Sequence, residues 1–155
     1  MNKILSLSES DGLESNKEII TASTGNHALG FARALLEANR RGIIYMPINA
    51  SPSKVKALKD YPVDLIFFGS NSLATELEAK RVAQEKDALW ISPYNDPQII
   101  GGQGTIGIEL IQQLKAIDYI LVTVGGGGLI AGIATYVKYI SPQTKIIGCL
   151  SLIHI

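Results

Sequence analysis

Apolar positions along the chain gather in short β-branched or aromatic runs separated by longer mixed segments. Six runs read as buried strands: Glu18–Thr21, Ile43–Met46, Val63–Phe68, Ala88–Ile91, Tyr119–Val124 and Lys145–Gly148. Between them helices are predicted over 26–39, 53–60, 71–86, 104–116 and 128–140, several opened by Ser, Asn or Gly and closed near Gly or Pro. Such alternation predicts an α/β fold, a doubly wound, three-layer parallel sheet. Helix 71–86 sets Glu76 and Lys80 at i,i+4, the mark of a solvated face. Ser92-Pro93-Tyr94-Asn95-Asp96-Pro97, followed by Gly101-Gly102-Gln103-Gly104, breaks the rhythm and predicts a crossing between two subdomains.

Composition narrows the partners. The 14 Lys+Arg balance 14 Asp+Glu, which leaves no net charge for a polyanion and argues against nucleic acid. With 46% hydrophobic and 18% charged residues, the 155-residue chain is a core former, not a disordered one. No apolar run reaches the roughly 18–20 residues that span a bilayer, and Met1–Ser8 is too short and polar for a signal peptide. No membrane association and a cytoplasmic location are therefore expected. The single cysteine, Cys149, excludes an internal disulfide and a multi-cysteine metal site, and reads as a small buried hydrophobe.

Two loops carry candidate chemistry. Gly125-Gly126-Gly127-Gly128, between an apolar strand and a helix of small residues, is costly in backbone entropy. It offers several N–H groups and a positive helix end to one ligand, for which phosphate is the natural occupant; the competing reading is a tight structural turn. Gly126-x-Gly128-x-x-Ala131 also fits a dinucleotide fingerprint, but that needs an acidic residue about 20 positions on. No Asp or Glu follows Asp118. The second loop, Thr21 to Gly30, again joins strand to helix. Ser23, Thr24 and Asn26 read either as helix caps or, together with backbone N–H groups, as a carboxylate site. His27 reads as a backbone donor or a packed ring before it reads as a base.

Ala22-Ser23-Thr24-Gly25-Asn26-His27-Ala28-Leu29-Gly30, Met46-Pro47-Ile48-Asn49-Ala50-Ser51-Pro52-Ser53-Lys54-Val55, Gly102-Gln103-Gly104-Thr105-Ile106-Gly107 and Gly125–Gly132 stand in order. Together they resemble the serine/threonine dehydratase and serine racemase branch of the pyridoxal-phosphate enzymes with the tryptophan synthase β-subunit fold, over residues 2–149. The resemblance implies pyridoxal 5'-phosphate as cofactor, its phosphate on Gly125, Gly126, Gly127, Gly128 and Leu129, and its ring hydroxyl on Asn26. It places Ser23, Thr24, Gly25, Asn26 and His27 around a small hydroxy amino-acid substrate, and Gln103 at a hinge. It implies no metal ligand in this chain and a homo-oligomer in the full-length form. The implied reaction removes the Cα proton and β-hydroxyl of L-threonine or L-serine, giving a 2-oxo acid and ammonia. Racemisation, lysis of a modified amino acid and a non-catalytic phosphate-ligand remnant are the alternatives.

The same resemblance implies a large-domain remnant at 1–18, a complete small, substrate-closing domain at 19–100, part of a large cofactor domain at 101–149 and a foreign tail at 150–155. Thr24 stands where racemising members carry a catalytic Ser; its hydroxyl makes it a candidate base, while its added methyl favours one-sided elimination. The Schiff-base lysine lies in an F-K-x-R-G-A stretch ahead of the segment resembling Asn2-Lys3-Ile4-Leu5. Without that stretch, 1–155 is expected to be an inactive fragment with an uncovered sheet edge.

Overall fold

The computed structural model describes residues 2–9 and 17–150, and the chain divides into two compact units, Met1–Pro93 and Tyr94–Ile155. The first holds α1 (Asn2–Glu9), β1 (Ile19–Ala22), α2 (Asn26–Glu37), β2 (Gly42–Met46), α3 (Pro52–Leu58), β3 (Val63–Phe67), α4 (Ser72–Glu85) and β4 (Leu89–Trp90). The second holds α5 (Pro97–Gln113), β5 (Tyr119–Val124), α6 (Gly128–Ile140) and β6 (Lys145–Leu150). Each strand before β6 is followed by a helix, and every strand pair is parallel.

In the first unit the strand order is β3-β2-β1-β4. The two faces of the sheet are covered by different helices because side chains alternate along a strand. Ile20 and Ala22 of β1 and Tyr45 of β2 pack with Ala79 and Ala83 of α4. The opposite face meets α2: a side chain at Gly42 would touch Leu35 and Phe31, both fully buried. The order reverses at β1, whose neighbours are β2 on one side and β4 on the other. Ligands of open α/β sheets collect at the carboxyl ends of strands at such a reversal, and the Ser23–Gly25 turn leaves β1 there.

In the second unit β5 and β6 pair from Tyr119–Lys145 to Val124–Leu150. Ile120 and Val122 form its core with Ile133 and Val137 of α6. The alternate residues Tyr119 and Leu121 are 54% and 67% exposed, so one face of the pair is bare. This explains why Cys149, expected to be buried, is exposed: it belongs to a strand with one neighbour among the described residues. α5 and α6 cross at backbone contact; a side chain at Gly132 would lie 2.3 Å from the Ile100 carbonyl oxygen, and one at Gly104 would lie 3.2 Å from the Gly132 carbonyl oxygen.

The element bounds depart from expectation in three places. α1 has no counterpart among the predicted helices. α5 begins at Pro97, not near 104, because Asp96 caps it: its carboxylate accepts from the N–H groups of Gln98 and Ile99, and Pro97 suits the first helical turn. Gly101, Gly102, Gln103 and Gly104, read as part of a crossing, therefore lie within a helix, and the division between units falls earlier, at Pro93–Tyr94. Of residues 150–155, expected as a foreign tail, Leu150 ends β6 paired with Val124, while 151–155, including His154, lie outside the described residues, as does most of 10–18.

Candidate functional site

The site residues sit on two strand-to-helix turns, one in each unit. In the first, β1 ends at Ala22 and α2 starts at Asn26. Ser23, Thr24 and Asn26 do not cap the helix: Gly25 is its N-cap, with no side-chain bond to the first turn. The Ser23 hydroxyl instead accepts from the Gly25 N–H at 3.1 Å, while the Ser23 N–H donates to the Tyr45 carbonyl of β2. The first helical bond runs from the Leu29 N–H to the Gly25 carbonyl. The N–H groups of Asn26, His27 and Ala28 thus have no acceptor inside the helix. They stand at the positive end of a twelve-residue helix, where an anion is favoured.

A cavity of about 150 Å³ opens beside this turn, lined by Thr24, Gly25 and Asn26 together with Ser53 and Lys54 of α3. Its size suits a few atoms of a small ligand, and Lys54 adds a cation to the dipole of α2. Asn26 is exposed, with Thr24 and Gly25 partly so, leaving the turn accessible.

His27 behaves differently from its neighbours. Its Nε2 lies 2.9 Å from Oγ1 of the buried Thr21, and its ring is tilted against Phe31 with centroids 6.5 Å apart. Burial pushes the imidazole down to about 4, so the ring is neutral near pH 7. The packed-ring reading describes its side chain; only its backbone N–H belongs to the open first turn. Thr21 was missed at the sequence level, although a hydroxyl inside Ile19-Ile20-Thr21-Ala22 is the signal that marks a buried polar contact.

In the second unit β5 ends at Val124 and α6 starts at Gly128. The four glycines have separate causes. Gly127 is the N-cap of α6 with φ of 87°, a left-handed conformation that glycine adopts without penalty. A side chain at Gly126 would strike the Tyr94 ring at 2.2 Å, and one at Gly128 would meet the Tyr94 Cα at 2.8 Å. Gly125 has neither constraint, since nothing lies within 4 Å of the position its Cβ would take. Neither fold geometry nor packing requires glycine there, and the open backbone leaves room for close approach of a ligand. The N–H groups of Gly128, Leu129 and Ile130 also lack helical acceptors, the first bond being Ala131 N–H to the Gly127 carbonyl. Backbone N–H groups at a helix start, with no acidic side chain from Gly125 to Leu129, form a donor set that fits a phosphate. The signal for Tyr94 was weak: one aromatic between two prolines.

Each turn thus gathers its own set, Ser23–His27 in one and Gly125–Leu129 in the other. Gln103, assigned to a hinge, lies in the first half of α5. Among the described residues, no three of His, Cys, Asp and Glu cluster as metal ligands, and no helix is long and apolar enough to cross a membrane.

Comparison with known proteins identifies the family. Residues 1–151 match the family model described as pyridoxal-phosphate dependent enzyme. The catabolic L-threonine dehydratase of Escherichia coli K12 is 38% identical over 150 residues, covering 97% of this chain and 45% of that relative. Among solved structures, the processed form of threonine deaminase isoform 2 from Solanum lycopersicum superposes with a TM-score of 0.80 at 40% identity, over 92% of this chain and 40% of that one. Maize serine racemase gives a TM-score of 0.78 at 37% identity, over 94% and 46%. The chain spans less than half the length of these relatives. A glycine turn suited to phosphate, a polar turn at the sheet's reversal and this match over nearly the whole sequence together show that the chain belongs to the pyridoxal-phosphate-dependent enzyme family.

Proposed function

We propose that this chain carries the phosphate-binding and carboxylate-binding turns of an ammonia-lyase that eliminates water from L-threonine or L-serine, releasing a 2-oxo acid and ammonia. The observation that carries the reading is the unconstrained glycine at 125 in a loop of backbone donors, in a chain 38% identical to a threonine dehydratase. Gly125–Gly128 and Leu129 hold the cofactor phosphate through N–H groups, and Asn26 donates its side-chain amide to the ring hydroxyl. The bound cofactor supplies an electron sink for the charge that develops at Cα. The N–H groups of Asn26 and His27 take the substrate carboxylate, with the hydroxyls of Ser23 and Thr24 beside it. That grip fixes the amino acid so that its Cα proton and β-hydroxyl are presented to the groups that move protons.

Racemisation is the second reading. It is favoured by the 37% identity to maize serine racemase and by the hydroxyl that Thr24 retains. Incubating the protein and cofactor with L-serine and L-threonine, then separating 2-oxo acid from D-amino acid, distinguishes the two. Borohydride trapping tests the requirement for a lysine amine. Release of 2-oxo acid supports the lyase, accumulation of D-amino acid supports the racemase, and cofactor retained without trapping and without turnover supports a binding remnant.

A further inference from the structure

One buried hydroxyl ties together three segments at the sheet's reversal. Thr21 of β1 has no exposed surface. Its Oγ1 lies 2.7 Å from the Ile91 carbonyl oxygen, just past β4, and 2.9 Å from His27 Nε2 in the first turn of α2. A hydroxyl has one proton, and a carbonyl oxygen can only accept. The proton therefore goes to Ile91, and Oγ1 is left with lone pairs for the imidazole. Nε2 must then be the protonated nitrogen, and in a neutral ring Nδ1 keeps its lone pair.

We infer that Thr21 is a positioning residue that sets the tautomer of His27 and uses the ring to pin the first turn of α2 against the ends of β1 and β4. The consequence for ligand binding rests on the proposed reading of that turn as the carboxylate site. The N–H groups of Asn26, His27 and Ala28 are held in place before the amino acid arrives, and the imidazole acts as an anchor, not as a cation facing the ligand. Preorganised donors improve binding by reducing what must be ordered on association.

The test uses protein labelled with 15N at its two histidines, His27 and His154, with His27→Gln assigning the resonances. At neutral pH the His27 ring is expected to carry its proton on Nε2 alone. Thr21→Val should lose that single pattern, Thr21→Ser should restore it, and the valine variant should weaken amino-acid binding about tenfold, read by titrating the backbone amide of the labelled His27, the size of one lost hydrogen bond. A proton on Nδ1 in the unaltered protein, or an unchanged pattern in Thr21→Val, overturns the inference. Should Thr21→Val not fold, the wild-type spectrum and Thr21→Ser decide. If the tautomer is as stated but amino acid leaves the backbone amide resonance of the labelled His27 unmoved, the inference stands and the carboxylate reading falls.

Discussion

Replacing Gly132 by alanine puts a methyl group where α5 and α6 meet backbone to backbone. The added carbon would lie 2.3 Å from the Ile100 carbonyl oxygen, 2.7 Å from the Gly104 nitrogen and 2.9 Å from Gln103 Cβ. Carbon contacts normally settle near 3.5 Å, so the helices must part by about 1 Å. Overpacking of this kind costs about 1–3 kcal/mol. The higher helix propensity of alanine returns about 1 kcal/mol. A net loss of up to about 2 kcal/mol lowers a urea midpoint by up to about 1 M, read by far-UV circular dichroism. Gly101 is the control: it lies in α5 with nothing within 4 Å of its Cβ position. Gly101→Ala should therefore raise stability by about 0.5–1 kcal/mol. Gly132→Ala at or above wild-type stability, or an equal loss in both variants, would refute the close-crossing argument.

Within the phosphate loop, Gly125→Ala should leave folding within about 0.5 kcal/mol of wild type but weaken cofactor retention on dialysis. Gly127→Ala should lose about 1–2 kcal/mol from its left-handed backbone whether or not cofactor is present. For His27 the folded ring protonates near 4 and the unfolded one near 6.5. The unfolded chain binds more protons in that window, so stability is full above about 6.5 and falls by at most about 3 kcal/mol toward pH 4; chemical denaturation across that range should show the slope, and His27→Gln should flatten it. Asp96→Ala removes the cap of α5 and should cost about 1 kcal/mol in the same denaturation assay.

The strand positions were legible because buried parallel strands leave continuous apolar runs, and β5 begins and ends where its six-residue run does. Both candidate turns were legible too, since glycine and small polar residues between a strand and a helix have few other uses. What stayed hidden depended on partners distant in sequence. Gly101, Gly102 and Gly104 look like a loop until Gly104 is seen to lie against the backbone of Gly132. Cys149 looks like a core residue until the single neighbour of β6 is known. The Ser23 hydroxyl reads as a cap or ligand and the Thr21 hydroxyl draws no reading at all, yet one closes a local turn and the other reaches Ile91, seventy residues away.

Because Tyr94 crowds the glycine loop in two different ways, the four adjacent glycines should leave unlike traces in a genetic screen. An alanine at 126 collides with the aromatic ring, so a second change that trims Tyr94 to alanine should suppress the defect. An alanine at 128 collides with the Tyr94 backbone, its Cα and carbonyl oxygen, which every residue at 94 possesses. No replacement at 94 should suppress it. Across divergent sequences, position 126 is thereby free to drift together with 94, while 128 stays glycine for as long as this backbone path is kept.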